Sequence, residues 1–220
     1  MRASRYPEAA FLAAMTASAT HEVRNVLAII KESAGLIEDL VLVFQKRGTI
    51  DQEKVNRAVA RIETQVKRGA DLLTNLNRLS HTLDEDEAGV ELNQELEQVV
   101  FLSQRFARKR GHEVVAESRN GDCLLVVNPL RLHMALFAGM ECCLEELPEG
   151  STITVGAHRG KDGPVVEYRG TIQGGEASGI EAPSEAWQSL VQLADSMGAT
   201  PHRAEVGYGL RILFHEGAEG

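Results

Sequence analysis

Thr20-His21-Glu22-Val23-Arg24-Asn25-Val26-Leu27-Ala28-Ile29-Ile30 sets a histidine, flanked by a carboxylate and an amide, into a stretch with helical apolar spacing. Apolar or small residues recur at Val23, Leu27, Ile30, Ala34, Ile37, Val41 and Phe44. The alternating steps of four and three are the heptad spacing of a helix that packs along one seam, so the spacing predicts a helix from about Phe11 to Phe44. His21 and Asn25 fall off that seam, one turn apart on the same exposed side, where both can meet one group from solution.

Downstream, Lys46-Arg47-Gly48-Thr49-Ile50-Asp51 supplies a basic last turn, a glycine for the C-terminal cap and an aspartate to open the next helix. That helix carries Val55, Val59, Ile62, Val66, Gly69, Leu73, Leu76 and Leu83 at the same spacing, with Ser80 interrupting the seam. The pair predicts an antiparallel hairpin over residues 1–83. Two helices leave much of each apolar stripe uncovered, so a second copy related by two-fold symmetry is expected to complete a four-helix bundle, a homodimer.

Asp84-Glu85-Asp86-Glu87-Ala88-Gly89 has no apolar pattern and predicts a linker over 84–89. Residues 90–220 change character. Helices are expected over Leu92 to Arg110, Pro129 to Leu147 and Ser184 to Met197. Strands are expected at Glu113 to Glu117, Cys123 to Val127, Thr152 to His158, Val165 to Thr171, Thr200 to Glu205 and Tyr208 to Phe214, with Gly207-Tyr208-Gly209 as a turn. Strands interleaved with helices and closed by hairpins predict an α/β sandwich with one helical layer, which makes the chain α+β.

Composition narrows the classes of function. The formal charge of -9 argues against nucleic-acid binding, which depends on neutralising phosphates. No apolar run approaches the roughly 20 residues of a membrane span, and Met1 to Glu8 lacks an export-signal core, so a cytoplasmic protein without membrane contact is expected. Cys123, Cys142 and Cys143 have no metal-type spacing and are expected as buried thiols. His112, His133, His158, His202 and His215 show no ligand pattern, and His81 suits a helix end, so no metal site is expected.

The stretch from Thr20 to Ile30 resembles the phosphoacceptor box of bacterial sensor histidine kinases, whose usual form is His-Glu-x-Arg-Asn-Pro-Leu; Val26 stands at the proline. Asn128-Pro129-Leu130-Arg131-Leu132 and Leu144 to Val155 resemble the opening and ending of the segment around the N box in that family's Bergerat-type ATP-binding domain. Between them the nucleotide chemistry is missing. Ala138 and Cys142 occupy the places of the two N-box asparagines, and neither offers the hard oxygen that Mg²⁺ prefers. Arg169-Gly170-Thr171-Ile172-Gln173-Gly174-Gly175 stands where an adenine-recognising Asp-x-Gly-x-Gly belongs, and Ser184-Glu185-Ala186-Trp187 where a phosphate-cradling Gly-x-Gly belongs.

A kinase-like acceptor hairpin joined to a degenerate ATP-binding domain resembles the dimeric histidine phosphotransferases, of the ChpT type. The resemblance implies a phosphorelay intermediate: His21 takes a phosphoryl group from one receiver-domain aspartate and passes it to another. It implies no ATP and no cofactor of the protein's own, with Mg²⁺ arriving on the receiver. The partners implied are response-regulator receiver domains, a hybrid histidine kinase and a second copy of the chain. Two alternatives stay open, a pseudokinase that sequesters a regulator or kinase, and an active kinase with divergent nucleotide contacts.

The chemistry at the acceptor fits. A neutral imidazole, with an unperturbed pKa of about 6.5, presents a free lone pair near neutral pH. Glu22 is the expected partner that orients or deprotonates the ring, and Asn25 positions the phosphoryl group or a water. Arg24 and Lys31 are candidate charge partners for phosphate.

Overall fold

The computed structural model describes residues 8–117, 123–172, 175–176, 184–203 and 209–215. The first seven residues, Gln173-Gly174 of the adenine-site segment, Gly207-Tyr208 of the expected turn and the strand end at 204–205 lie outside the described residues. The chain divides into two compact units, Thr16–Asn77 and Met1–Met15 with Arg78–Gly220.

The first unit is a helical hairpin built from the greater part of α1 (Glu8–Arg47) and α2 (Gln52–His81). Its turn follows the local chemistry. Gly48 adopts φ 68°, its N–H donates to the Phe44 carbonyl at 2.8 Å, and the Asp51 carboxylate caps α2 through the Lys54 amide at 3.1 Å. The helices approach closely at Gly69, where an added Cβ would lie 3.3 Å from Val26 Cγ1. A valine at 26 and a glycine at 69 are therefore one packing solution.

The expected single seam separates into two. Val26 and Ser33 of α1 and Ala58 and Leu72 of α2 are buried, with Ile29, Val55, Ile62, Gly69 and Leu76 partly so. Leu27, Val41, Phe44, Val59, Val66 and Leu73 are instead exposed, Leu27 and Leu73 by 58% each and Val66 by 56%. Adjacent heptad registers one residue apart both carry apolar side chains, so one chain covers one register and leaves the other open. Val59, Val66 and Leu73 recur every seven residues along α2 and form the uncovered stripe.

The second unit holds β1 (Ala88–Glu91), α3 (Leu92–Lys109), β2 (Glu113–Glu117), β3 (Leu124–Val127), α4 (Pro129–Glu146), β4 (Thr152–Arg159), β5 (Pro164–Ile172), β6 (Gly175–Glu176), α5 (Glu185–Asp195), β7 (Ala199–Arg203) and β8 (Gly209–Phe214). The main sheet runs β2-β4-β5-β8-β7 with β6 on β5, and every pairing is antiparallel except β2 with β4. Its inward side chains, Ile153, Val155, Val166, Tyr168, Leu210 and Ile212, are essentially sealed. Its outward residues form charged pairs, Glu117 with Arg169 at 2.6 Å and Glu167 with Arg211 at 2.7 Å. One apolar and one charged face explain why α3, α4 and α5 form a single layer.

Two boundaries differ from expectation. Ala88 and Gly89, assigned to the linker, begin β1, which pairs antiparallel with β3 and caps α3 through Glu91. Phe11 packs on Phe137 at 5.8 Å, and Phe137 on Phe106 at 5.1 Å, so the first turns of α1 belong with the α/β unit and a cut after residue 83 does not follow the packing.

Candidate functional site

His21 sits on an exposed face of α1, within the hairpin unit. The side-chain amide of Asn25, one turn on, lies 3.4 Å from His21 Nδ1 and donates to Glu22 Oε1 at 3.4 Å. Glu22 falls on the inward register of α1, and its side chain is 11% exposed. A carboxylate there needs a donor from the opposing helix, and Arg68 of α2 supplies one, with Nη2 at 2.6 Å from Glu22 Oε2. His21, Asn25, Glu22 and Arg68 thus form one polar chain running from solvent into the helix interface.

The five expected site residues divide. His21, Glu22 and Asn25 come together. Arg24 is exposed on the neighbouring turn, and Lys31 lies ten residues from His21, about 15 Å along the helix axis. Neither makes an ion pair among the described residues. No local pattern in the sequence marks Arg68, because the pair spans 46 residues. Only with Val26 known to face inward does Glu22, four residues before it, stand out as a buried carboxylate that needs a cation from α2.

In the α/β unit, Ala138 and Cys142 are 1% and 0% exposed. Glu146, one further turn along the same stripe of α4, is held in a bidentate pair by Arg203 of β7, with both N···O distances at 2.7 Å. Arg203 in turn lies 4.4 Å over the Trp187 ring of α5, whose backbone amide is capped by Ser184 Oγ at 3.1 Å. Burial and the charges of Cys143 and Glu146 push the Cys142 thiol well up, so it is a packed, neutral group.

Arg169 corrects the sequence reading. Strand alternation turns Tyr168 and Gly170 toward α4 and Arg169 outward to Glu117, so the arginine does not occupy an adenine position. The inward neighbours lock α4 to β5. Tyr168 Oη donates to the Leu136 carbonyl at 2.7 Å, a Cβ at Gly139 would meet the Tyr168 ring at 2.8 Å, and one at Gly170 would meet Leu147 at 2.6 Å. Among the described residues no group of histidine, cysteine and carboxylate side chains could hold a metal ion, and no helix is long and apolar enough to cross a membrane.

No family model matches the chain, and no curated protein does. Among solved structures it is similar to the histidine kinase AdeS of Acinetobacter baumannii, with 12% identity, a TM-score of 0.48 and coverage of 89% of this chain and 97% of that one. It is similar also to the cytoplasmic segment of histidine kinase QseC, with 18% identity, a TM-score of 0.48 and coverage of 69% and 95%. Full-length ShkA in complex with AMPPNP matches at 16% identity and a TM-score of 0.45, over 90% of this chain and 47% of that one.

Proposed function

We propose that the protein is a histidine phosphotransfer intermediate of the dimeric histidine phosphotransferase (ChpT) type, a cytoplasmic carrier that moves a phosphoryl group between receiver aspartates through His21 without ATP. The observation that carries this reading is the closed stripe of α4. Ala138 and Cys142 are buried, and the next turn is tied down by Arg203, which stacks on Trp187, an arrangement that supports a reading without nucleotide. His21, by contrast, is open to a partner.

In the forward step an imidazole lone pair of His21 forms an N–P bond while the P–O bond to the receiver's aspartate breaks, and that electron pair leaves with the carboxylate. Asn25 stands beside the ring to hold the group in line. Mg²⁺ belongs to the receiver. The exposed Val59, Val66 and Leu73 stripe supports a homodimer, since a second hairpin would cover it.

The test is a phosphotransfer profile. Label is expected to move from phosphorylated receivers to the wild-type protein and not to His21→Ala, and labelled ATP with Mg²⁺ is expected to leave the protein unlabelled. Stoichiometric labelling by ATP would overturn the reading, as would transfer that survives His21→Ala. Receiver binding without any transfer would favour a sequestering protein instead.

A further inference from the structure

We infer that Arg68 is a positioning residue for phosphoryl transfer at His21: it neutralises and pins the Glu22 carboxylate, keeping the approach to the imidazole open to an anionic phosphoryl donor. The inference rests on the proposed acceptor role of His21. Glu22 is the neighbour of the acceptor and contacts the amide that contacts the ring. Left alone, its negative charge would repel any donor, since every phosphoryl donor presents anionic oxygens at the attacking distance.

Arg68 removes that repulsion from the opposite helix. The 2.6 Å contact is a charge-assisted bond to a largely buried carboxylate, whereas the arginine side chain is itself 42% exposed. By occupying Glu22 Oε2 it also leaves Oε1 to accept from the Asn25 amide, which sets the direction in which that amide faces His21. The arrangement assigns the phosphate-facing charge compensation to α2. Arg24 and Lys31, the candidates on α1, engage no carboxylate among the described residues.

The experiment uses potassium phosphoramidate on the 220-residue chain, so no receiver is required. The His21 lone pair forms the N–P bond as the donor's P–N bond breaks and its electron pair leaves with ammonia. Phosphohistidine at His21 is followed by phosphate-affinity electrophoresis and mass mapping, at low salt and at roughly 0.5 M salt. Arg68→Ala is expected to slow loading about five- to tenfold at low salt, and the deficit is expected to shrink at high salt. Arg68→Lys is expected to stay within about threefold of wild type, because the charge is kept.

The double variant Glu22→Gln, Arg68→Ala separates charge from structure. It is expected to recover most of the rate that Arg68→Ala loses, because no carboxylate remains to be neutralised. Arg68→Ala loading His21 as fast as wild type at low salt would overturn the inference. So would a double variant as slow as the single one, since the loss would then be structural. Wild-type protein that never loads His21 is a different result and removes the acceptor on which both proposals stand.

Discussion

Arg203→Ala tests whether the α4 face is held closed as described. The substitution deletes two charge-assisted hydrogen bonds at 2.7 Å to a Glu146 side chain that is only 2% exposed. Removing one partner of a buried pair costs about 3–5 kcal/mol, because the remaining carboxylate loses its bidentate cation while staying out of water. Loss of the guanidinium from above Trp187 adds about 0.5–1 kcal/mol. Arg203 retains some solvent contact, 19% of its side chain, which lets water reach the vacated place and pulls the expected total to about 3 kcal/mol. Trp187 is the one tryptophan of the chain, so urea unfolding followed by its fluorescence reports this unit, with far-UV circular dichroism as the second probe. The emission of the folded variant should shift to the red. Glu146→Gln combined with Arg203→Ala should regain at least about 1 kcal/mol relative to Arg203→Ala, since a neutral amide is cheaper to bury than a lone charge. A loss below about 1 kcal/mol for Arg203→Ala, with no regain in the double variant, would refute the closed face.

Leu73→Glu places a charge in the uncovered stripe and, if the proposed homodimer forms there, should weaken self-association at least tenfold in sedimentation equilibrium, because a two-fold axis would introduce the change twice. Gly139→Ala gains about 1 kcal/mol of helix propensity but drives a methyl into the Tyr168 ring 2.8 Å away, so a net loss of about 1–2 kcal/mol is expected in urea unfolding. For Glu95, burial favours the neutral acid, but the hydrogen bond and charge of His133 and the charge of Arg78 outweigh it and hold the carboxyl below its ordinary value of 4.5. A depressed carboxyl contributes its full stabilisation above that ordinary value and loses it as pH falls through the folded one. Glu95→Gln should therefore flatten the fall in stability below about pH 4.5 while lowering stability at neutral pH.

The hairpin was legible because a heptad repeat survives any local detail: helix limits, the Gly48 turn and the Asp51 cap all follow from spacing and end chemistry. Which register faces inward was not, because Val26 and Leu27 are both apolar and only the opposing Gly69 decides between them. β1 escaped for a related reason. Its four residues hold one large apolar side chain, Val90, and its pairing is with a strand 36 positions on, Ala88 with Val127 through Glu91 with Leu124. Arg169 is legible from the strand period, since Tyr168 as an inward aromatic forces its successor outward; motif register and strand period disagree at this position, and the period decides. Glu22 shows the same logic at the acceptor. Read beside His21 it is a ring partner, whereas read on its heptad position it is a buried carboxylate in need of a cation. The 2.6 Å bond to Arg68 joins the two, since the charge that makes Glu22 tolerable in the helix interface is, in the proposed relay, also the charge that keeps it from repelling a phosphoryl donor.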